Sequence, residues 1–256
     1  MHTLDSEWLR TYHAVKDFGH EVSPRGLRVK ELLHHAVRVS MFYPVLTVPE
    51  RRLGYRFMAA EALWIVTGRD QLSDLTPYSK RMEEFSDDGE TLTGAYGPRI
   101  LEQLGYVVDR LVEDRDTRQA TLTIWRPNPS RSKDIPCTVA MDFKIRNGQL
   151  HTQVFMRSSD VWLGLPYDVF SFTCVSYLVV ATLRQTAYPD LEPGTLYLTA
   201  ASSHVYQPAL FADVPQDPSA VAKRAPATLW ASPSSLTGYL LRLRDTYRGD
   251  ALRWWE

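Results

Sequence analysis

With only two cysteines, Cys137 and Cys174, the chain has neither a disulfide framework in prospect nor a thiolate set for zinc. That scarcity fits a reducing, cytoplasmic setting. An excess of charge is also lacking: 29 Lys and Arg face 30 Asp and Glu, a net charge of −1. Broad attraction to nucleic acid or an anionic membrane is therefore not expected, and a bound anion must be gripped by a few placed cations. The N-terminal MHTLDSEWLRTYHAV has no apolar core and no cleavage signature, so it does not read as a signal peptide. The most apolar run, Val169 to Thr182, is too short to span a bilayer and reads as a buried helix. No repeat or low-complexity tract is seen.

What is present is the material of an ordinary globular core, with 13 Tyr, 7 Trp and 9 Phe to fill it. A chain of 256 residues can make one large domain or two small ones. Gly26 to Val39 reads as a helix, and Tyr55 to Gly68 as another, ending in a glycine suited to a C-cap. Loop signals fill Ser73 to Gly94, including the Ser86-Asp87-Asp88-Gly89 turn. From Gly97 to Val112, Ile100, Leu101, Leu104, Val107, Val108 and Leu111 share one helical face. Thr121 to Trp125, Cys137 to Ile145 and Leu150 to Phe155 then read as strands, the last two joined at Asn147-Gly148 by a type I′ turn. Pro166 can start the apolar helix through Thr182, and Gly194 to Thr199 is a further strand. Pro208 to Pro233 is Pro- and Ala-rich loop, with a final helix near Leu236 to Arg244. This order gives one α+β domain over residues 1–256.

Cys137 follows Pro136 at the start of a strand; it is either a small buried hydrophobe or a nucleophile helped by Lys133 and Arg157. Cys174, inside an apolar helix, is structural. The stretch MRSSDVWLGLPYDVF sets Arg157, Asp160 and Asp168 among apolar residues, which packing alone does not explain. The pair DIPCTVAMDF and MRSSDVWLGLPYDVFSF resembles the active-site core of the thymidylate synthase superfamily. The matching elements are Pro136-Cys137, Arg157-Ser158-Ser159-Asp160 and Leu163-Gly164-Leu165-Pro166. The likeness runs from about Pro24 to Tyr206. Pro24-Arg25-Gly26 is similar to a phosphate-binding loop, Glu61-Ala62-Leu63-Trp64 to a helix bearing a catalytic glutamate, and Gly94-Ala95-Tyr96-Gly97 to a Gly-x-x-Tyr-Gly segment. Arg118 resembles an arginine lent to the partner subunit, and His204-Val205-Tyr206 a sugar-holding pair. Taken singly, Glu61 reads also as a solvated charge, Tyr96 as core filler, Arg118 as a surface cation, and His204 and Tyr206 as strand-edge residues.

The resemblance implies a mixed sheet packed against its twin in a homodimer, with shared sites. Cys137, Glu61, Tyr96 and Asp168 become catalytic candidates. Arg25, Arg118, Lys133, Arg157, Ser158, Asp160, His204 and Tyr206 become nucleotide contacts, with Arg157 also supporting the Cys137 thiolate. Asp160, Gly164 and Tyr167 become contacts for 5,10-methylenetetrahydrofolate; no metal is implied.

Asp168 stands where thymidylate synthases have Asn. An amide can accept from uracil N3–H and donate to O4, whereas cytosine offers an N3 acceptor and an N4 donor. A carboxylate accepts from that amino group, and a shared proton completes the contact at N3. The resemblance is thus to the pyrimidine nucleotide hydroxymethylase branch, with CMP or dCMP as substrate and nucleoside antibiotic biosynthesis as the setting. Gln119, Thr138 and Ser202 also depart from the commoner pattern, as does the terminal Leu252 to Glu256. The rival expectations are a thymidylate synthase that methylates dUMP and a catalytically inactive nucleotide-binding regulator.

Overall fold

A computed structural model describes residues 2–129 and 131–216, together with Ser235, Leu236, Gly238 and Tyr239. The chain opens with helix α1 (Leu4–Phe18). Thr3 caps it by accepting the Ser6 amide at 3.2 Å, and Asp5 and Glu7 suit the positive end of its dipole. Leu4, Trp8, Leu9, Tyr12 and Val15 form its buried face. The sequence reading assigns no element here, although that cap and the spacing of those five residues carry the signal.

The sheet contains β1 (His20–Val22), β2 (Val29–Ser40), β3 (Thr121–Thr123), β4 (Thr138–Arg146), β5 (Gln149–Met156), β6 (Ser159–Asp160) and β7 (Glu192–Tyr206). Its spatial order is β1-β2-β7-β5-β4-β3, with β6 also beside β7. β5 and β6 run parallel to β7, and the remaining pairs are antiparallel. The expected hairpin is present: Asn147 and Gly148 have φ of 52° and 76°, and Arg146 pairs with Gln149.

β2 corrects the sequence reading, which expects a helix from Gly26 to Val39. The alternation that marks a strand is clean only near its end, at Val37 and Val39. His34, at φ 53°, breaks the period in the middle. Pairing with β7 along nearly the whole strand then outweighs a locally ambiguous pattern. β7 likewise extends well beyond the expected Gly194 to Thr199, because β2, β5 and β6 all pair with it.

Helices α2 (Tyr55–Val66), α3 (Tyr96–Glu113) and α4 (Leu165–Thr186) complete the fold. Gly68, at φ 71°, follows α2 as its expected terminator. Met141, Phe143 and Ile145 of β4, Leu150 and Val154 of β5, and Leu196 and Leu198 of β7 bury one sheet face. α4 lies on that face, where Ser176 meets Thr152 of β5 at 2.8 Å. It runs 22 residues, longer than the sequence reading allows and long and apolar enough to cross a bilayer. Most of it is buried in the core, Cys174 included. Of the final helix expected from Leu236 to Arg244, Leu236, Gly238 and Tyr239 are described, and they are helical; its other residues, most of the Pro208 to Pro233 tail, and Leu252 to Glu256 lie outside the described residues.

Candidate active site

Five parts of the fold meet around Cys137. The loop entering β4 brings Cys137 itself, and the link from β5 to β6 brings Arg157 and Ser158. Gly164 precedes α4, whose first turn carries Tyr167 and Asp168, while α2 and α3 supply Glu61 and Tyr96. The Arg157 amide donates to the Cys137 carbonyl at 2.8 Å. Its guanidinium donates from Nε to Pro136 O and from Nη2 to Ile135 O, each at 2.9 Å, and faces the Trp125 ring. Arg157 therefore braces the main chain that presents the thiol.

The thiol shows one departure from expectation. Burial pushes the Cys137 pKa up, and Arg157, which opposes this, does not overcome it; Asp168 and Asp134 add to the rise, while Arg25 opposes it. The charge effect expected of Arg157 is present but outweighed by desolvation.

Two carboxyls of the cluster, Asp168, whose charge reaches the thiol, and Glu61, whose neighbour is Asp168, have proton affinities near neutrality. Glu61 is pushed up to about 8 by burial and then by the charge of Asp168. Asp168 is pushed up to about 7 by burial and then by Asp160. Burial raises the Tyr96 hydroxyl above its usual range, with Asp168 and Cys137 adding to it, and its ring stacks on Phe172 with centroids 6.0 Å apart. A hard-to-ionise thiol flanked by acids that exchange protons near pH 7 suits nucleophilic addition coupled to proton transfer.

Asp160 ends β6, which pairs with Ser203 and His204 of β7. Its Oδ1 accepts the amides of Trp162 at 2.9 Å and Leu163 at 2.8 Å. Burial raises the Asp160 pKa against those bonds and His204; burial lowers that of His204 against Asp160. Ser158 Oγ lies 3.5 Å from His204 Nδ1, and the Tyr206 ring stands edge-on to His204. The Gly164 amide donates to Asp160 O at 2.9 Å, and the Tyr167 hydroxyl accepts the Gly54 amide at 3.1 Å. Arg25, in a left-handed turn at φ 52°, is exposed yet close enough to act on Cys137 and His204.

One expected contact is placed elsewhere. The Lys133 ammonium donates to Ser86 O at 3.1 Å, so it fastens a loop instead of standing free for a phosphate. Arg118 is exposed in a polar pocket with Arg110, Glu113 and Asp116, apart from the Cys137 cluster.

Sequence reasoning also passes over two site-bracing groups, Arg51 and Asp134. Arg51 sits in the Glu50-Arg51-Arg52 run, which reads as surface. Asp134 accepts the Gly94 amide at 2.7 Å and so ties the Cys137 loop to the segment bearing Tyr96. A Cβ on Gly94 would lie 2.6 Å from Asp134 O and 2.8 Å from its Oδ2. Gly94→Ala should therefore destabilise the fold by about 1–3 kcal/mol. Thermal unfolding would read this as a lowered Tm, and an unchanged Tm would show that the Asp134 loop yields freely.

A family model for thymidylate synthase matches residues 6–223. The chain belongs to the thymidylate synthase family. It is 31% identical over 210 residues to a deoxyuridylate hydroxymethyltransferase of Bacillus phage SP01, covering 73% of this chain and 53% of that protein. It is 24% identical over 197 residues to a bifunctional dihydrofolate reductase-thymidylate synthase of Zea mays, covering 64% of this chain and 36% of that one. The chain thus spans about half the length of the first relative and about a third of the second. The family match includes every candidate residue from Arg25 to Tyr206, and the fold is α+β as expected.

Proposed function

We propose that this chain is a folate-dependent 5-hydroxymethylase of a cytosine mononucleotide, CMP or dCMP. The observation that carries the reading is Asp168, a carboxyl at the head of α4 whose pKa of about 7 makes the neutral acid available. A neutral carboxyl donates to cytosine N3 and accepts from the N4 amino group. Trp162 and Tyr167, half-buried on either side of Gly164, give ring surfaces suited to a flat pterin. 5,10-Methylenetetrahydrofolate supplies a one-carbon unit, and tetrahydrofolate is the product when water completes the transfer.

Cys137 adds to C6 of the base, which makes C5 nucleophilic toward that one-carbon unit. Asp168 holds a proton at N3 while charge builds on the ring. Glu61, with its pKa of about 8, takes and returns protons and orders the water that becomes the hydroxyl. Tyr96 supports the base beside them, and the apolar flank of α4 limits competing water. Arg157 and Ser158, with Arg25, stand for the phosphate, and His204 with Tyr206 for the sugar. The balanced charge and two free cysteines support a cytoplasmic setting, and the departures at Gln119, Thr138 and Ser202 support a specialised role such as nucleoside antibiotic biosynthesis over housekeeping synthesis.

The SP01 relative acts, by its name, on deoxyuridylate, and this favours a uracil substrate as the second reading. Incubation with methylenetetrahydrofolate and CMP, dCMP or dUMP, with products identified by mass, separates the readings. A 5-hydroxymethylcytosine nucleotide with tetrahydrofolate is expected. Turnover of dUMP alone would sink cytosine selection, and dihydrofolate would indicate methylation. No turnover of any nucleotide would favour a binding regulator.

The reading includes a homodimer. The sheet face opposite α4 leaves Phe155 44% and Tyr197 38% exposed beside half-buried Asp142, Lys144 and Gln153. Arg118, apart from Cys137 in its own chain, is then free to serve the phosphate of a twin. Mixing inactive Arg118→Ala and Cys137→Ser subunits should restore up to half the activity of each heterodimer, since one site escapes both substitutions. Tagged chains verify subunit exchange; exchange without recovered activity would mean each phosphate site is built from one chain.

A further inference from the structure

Arg51 ends the short turn Pro49–Arg51 that precedes α2, and only 8% of it is exposed. Its Nε donates to Trp162 O, and its Nη2 lies 3.4 Å from Leu163 O. Its guanidinium carbon sits 5.7 Å from the ring centroids of both Trp162 and Tyr167. The same stretch of main chain is held from its other side, where Asp160 Oδ1 accepts the amides of Trp162 and Leu163. The turn between β6 and α4 is therefore gripped at its carbonyls by a cation and at its amides by a carboxylate.

Among the described residues, no carboxylate forms an ion pair with Arg51. A buried guanidinium without a partner charge is destabilising, so its retention calls for compensation. Two carbonyls and two ring faces supply part of it. Asp160 supplies more, since the two charges act on each other across the shared peptide units.

We propose that Arg51 is a positioning residue for Asp160: its guanidinium fixes the turn that aims the Asp160 carboxylate and sets Gly164 at the head of α4. The inference rests on the reading in which Asp160 meets the pyrimidine and the folate. It extends that reading to a residue that touches neither and acts through the backbone.

The test compares wild type, Arg51→Ala, Asp160→Ala and the double variant. Arg51→Ala should lower kcat/KM by about 10- to 100-fold, the scale of a misplaced reacting group. The double variant should be scarcely worse than Asp160→Ala, because both losses pass through one group. Millimolar guanidinium should restore part of the activity of Arg51→Ala and none of the double variant. Hydrogen exchange at the Trp162 and Leu163 amides should quicken at least tenfold in Arg51→Ala, a readout independent of turnover. If Arg51→Ala does not fold, Arg51→Lys keeps the charge but loses the planar fork, and the same exchange and kinetics apply to it. Additive losses, or unchanged exchange, would overturn the positioning role alone. Full activity in Asp160→Ala would overturn the role of Asp160 and the link to Arg51 together.

Discussion

Replacing Cys137 with serine should reduce turnover by at least about 10⁴-fold while nucleotide binding survives. A serine hydroxyl is a much weaker acid than a thiol, so a carboxylate able to take the thiol proton does not generate an effective serine nucleophile. The thiol itself is held mainly in its protonated form by burial, despite Arg157. Addition to C6 must therefore be coupled to proton removal, and with Asp168 holding its proton for N3, Glu61 is the acceptor of suitable affinity in the cluster. Binding should persist because Arg157 is anchored on the carbonyls of Ile135 and Pro136, which the substitution leaves in place. Calorimetric titration with CMP would measure that affinity, and loss of hydrogen exchange at C5 would show that covalent activation has stopped. Substantial residual turnover would remove Cys137 from the nucleophile's role.

The parts of this site legible in the sequence are those specified locally. Asn147-Gly148 determines its own turn, so the β4–β5 hairpin, and with it the approach of Arg157 to Cys137, follows from a few residues. The ordered run from Arg157 to Asp168 likewise carries its spacing within one stretch. What was hidden depends on distant chain. β2 reads as a helix until β7 is beside it, and Arg51 looks like surface charge until the carbonyls of Trp162 and Leu163 arrive. The net effect on the thiol was also beyond the sequence, because a nearby arginine can be named from a motif whereas desolvation depends on the complete packing. Lys133 illustrates the converse: closeness in sequence to Cys137 suggested a cation that helps the thiolate, but the ammonium is taken up by the Ser86 carbonyl.

Asp168→Asn should lower the preference for cytosine over uracil by about 10²-fold or more, as expected when a buried donor–acceptor match is broken. In its neutral form a carboxyl can give an O–H to cytosine N3 and take an N4–H at its carbonyl oxygen. Cytosine N3 is a much stronger proton acceptor than uracil O4, so a shared acidic proton favours cytosine, above all as charge develops on the ring. An amide can adopt either hydrogen-bond pattern by turning over, but it has no acidic proton to share. The sign of the pH dependence follows. With a pKa of about 7, Asp168 is mainly neutral at pH 6 and mainly charged at pH 9. Cytosine preference in the wild type should therefore fall as pH rises through that range, while the Asn variant should show a low, flat ratio. Glu61 titrates near 8 within the same window, but it serves protons for both bases and largely cancels from the ratio. Asp160 lies next to Asp168 and raises its pKa, so Asp160→Asn should move the fall in preference to lower pH. The measurement is kcat/KM for cytosine and uracil nucleotides bearing the same sugar, at pH 6, 7.5 and 9. A ratio unchanged by the substitution, or one with the same pH dependence in both enzymes, would mean that Asp168 does not read the base.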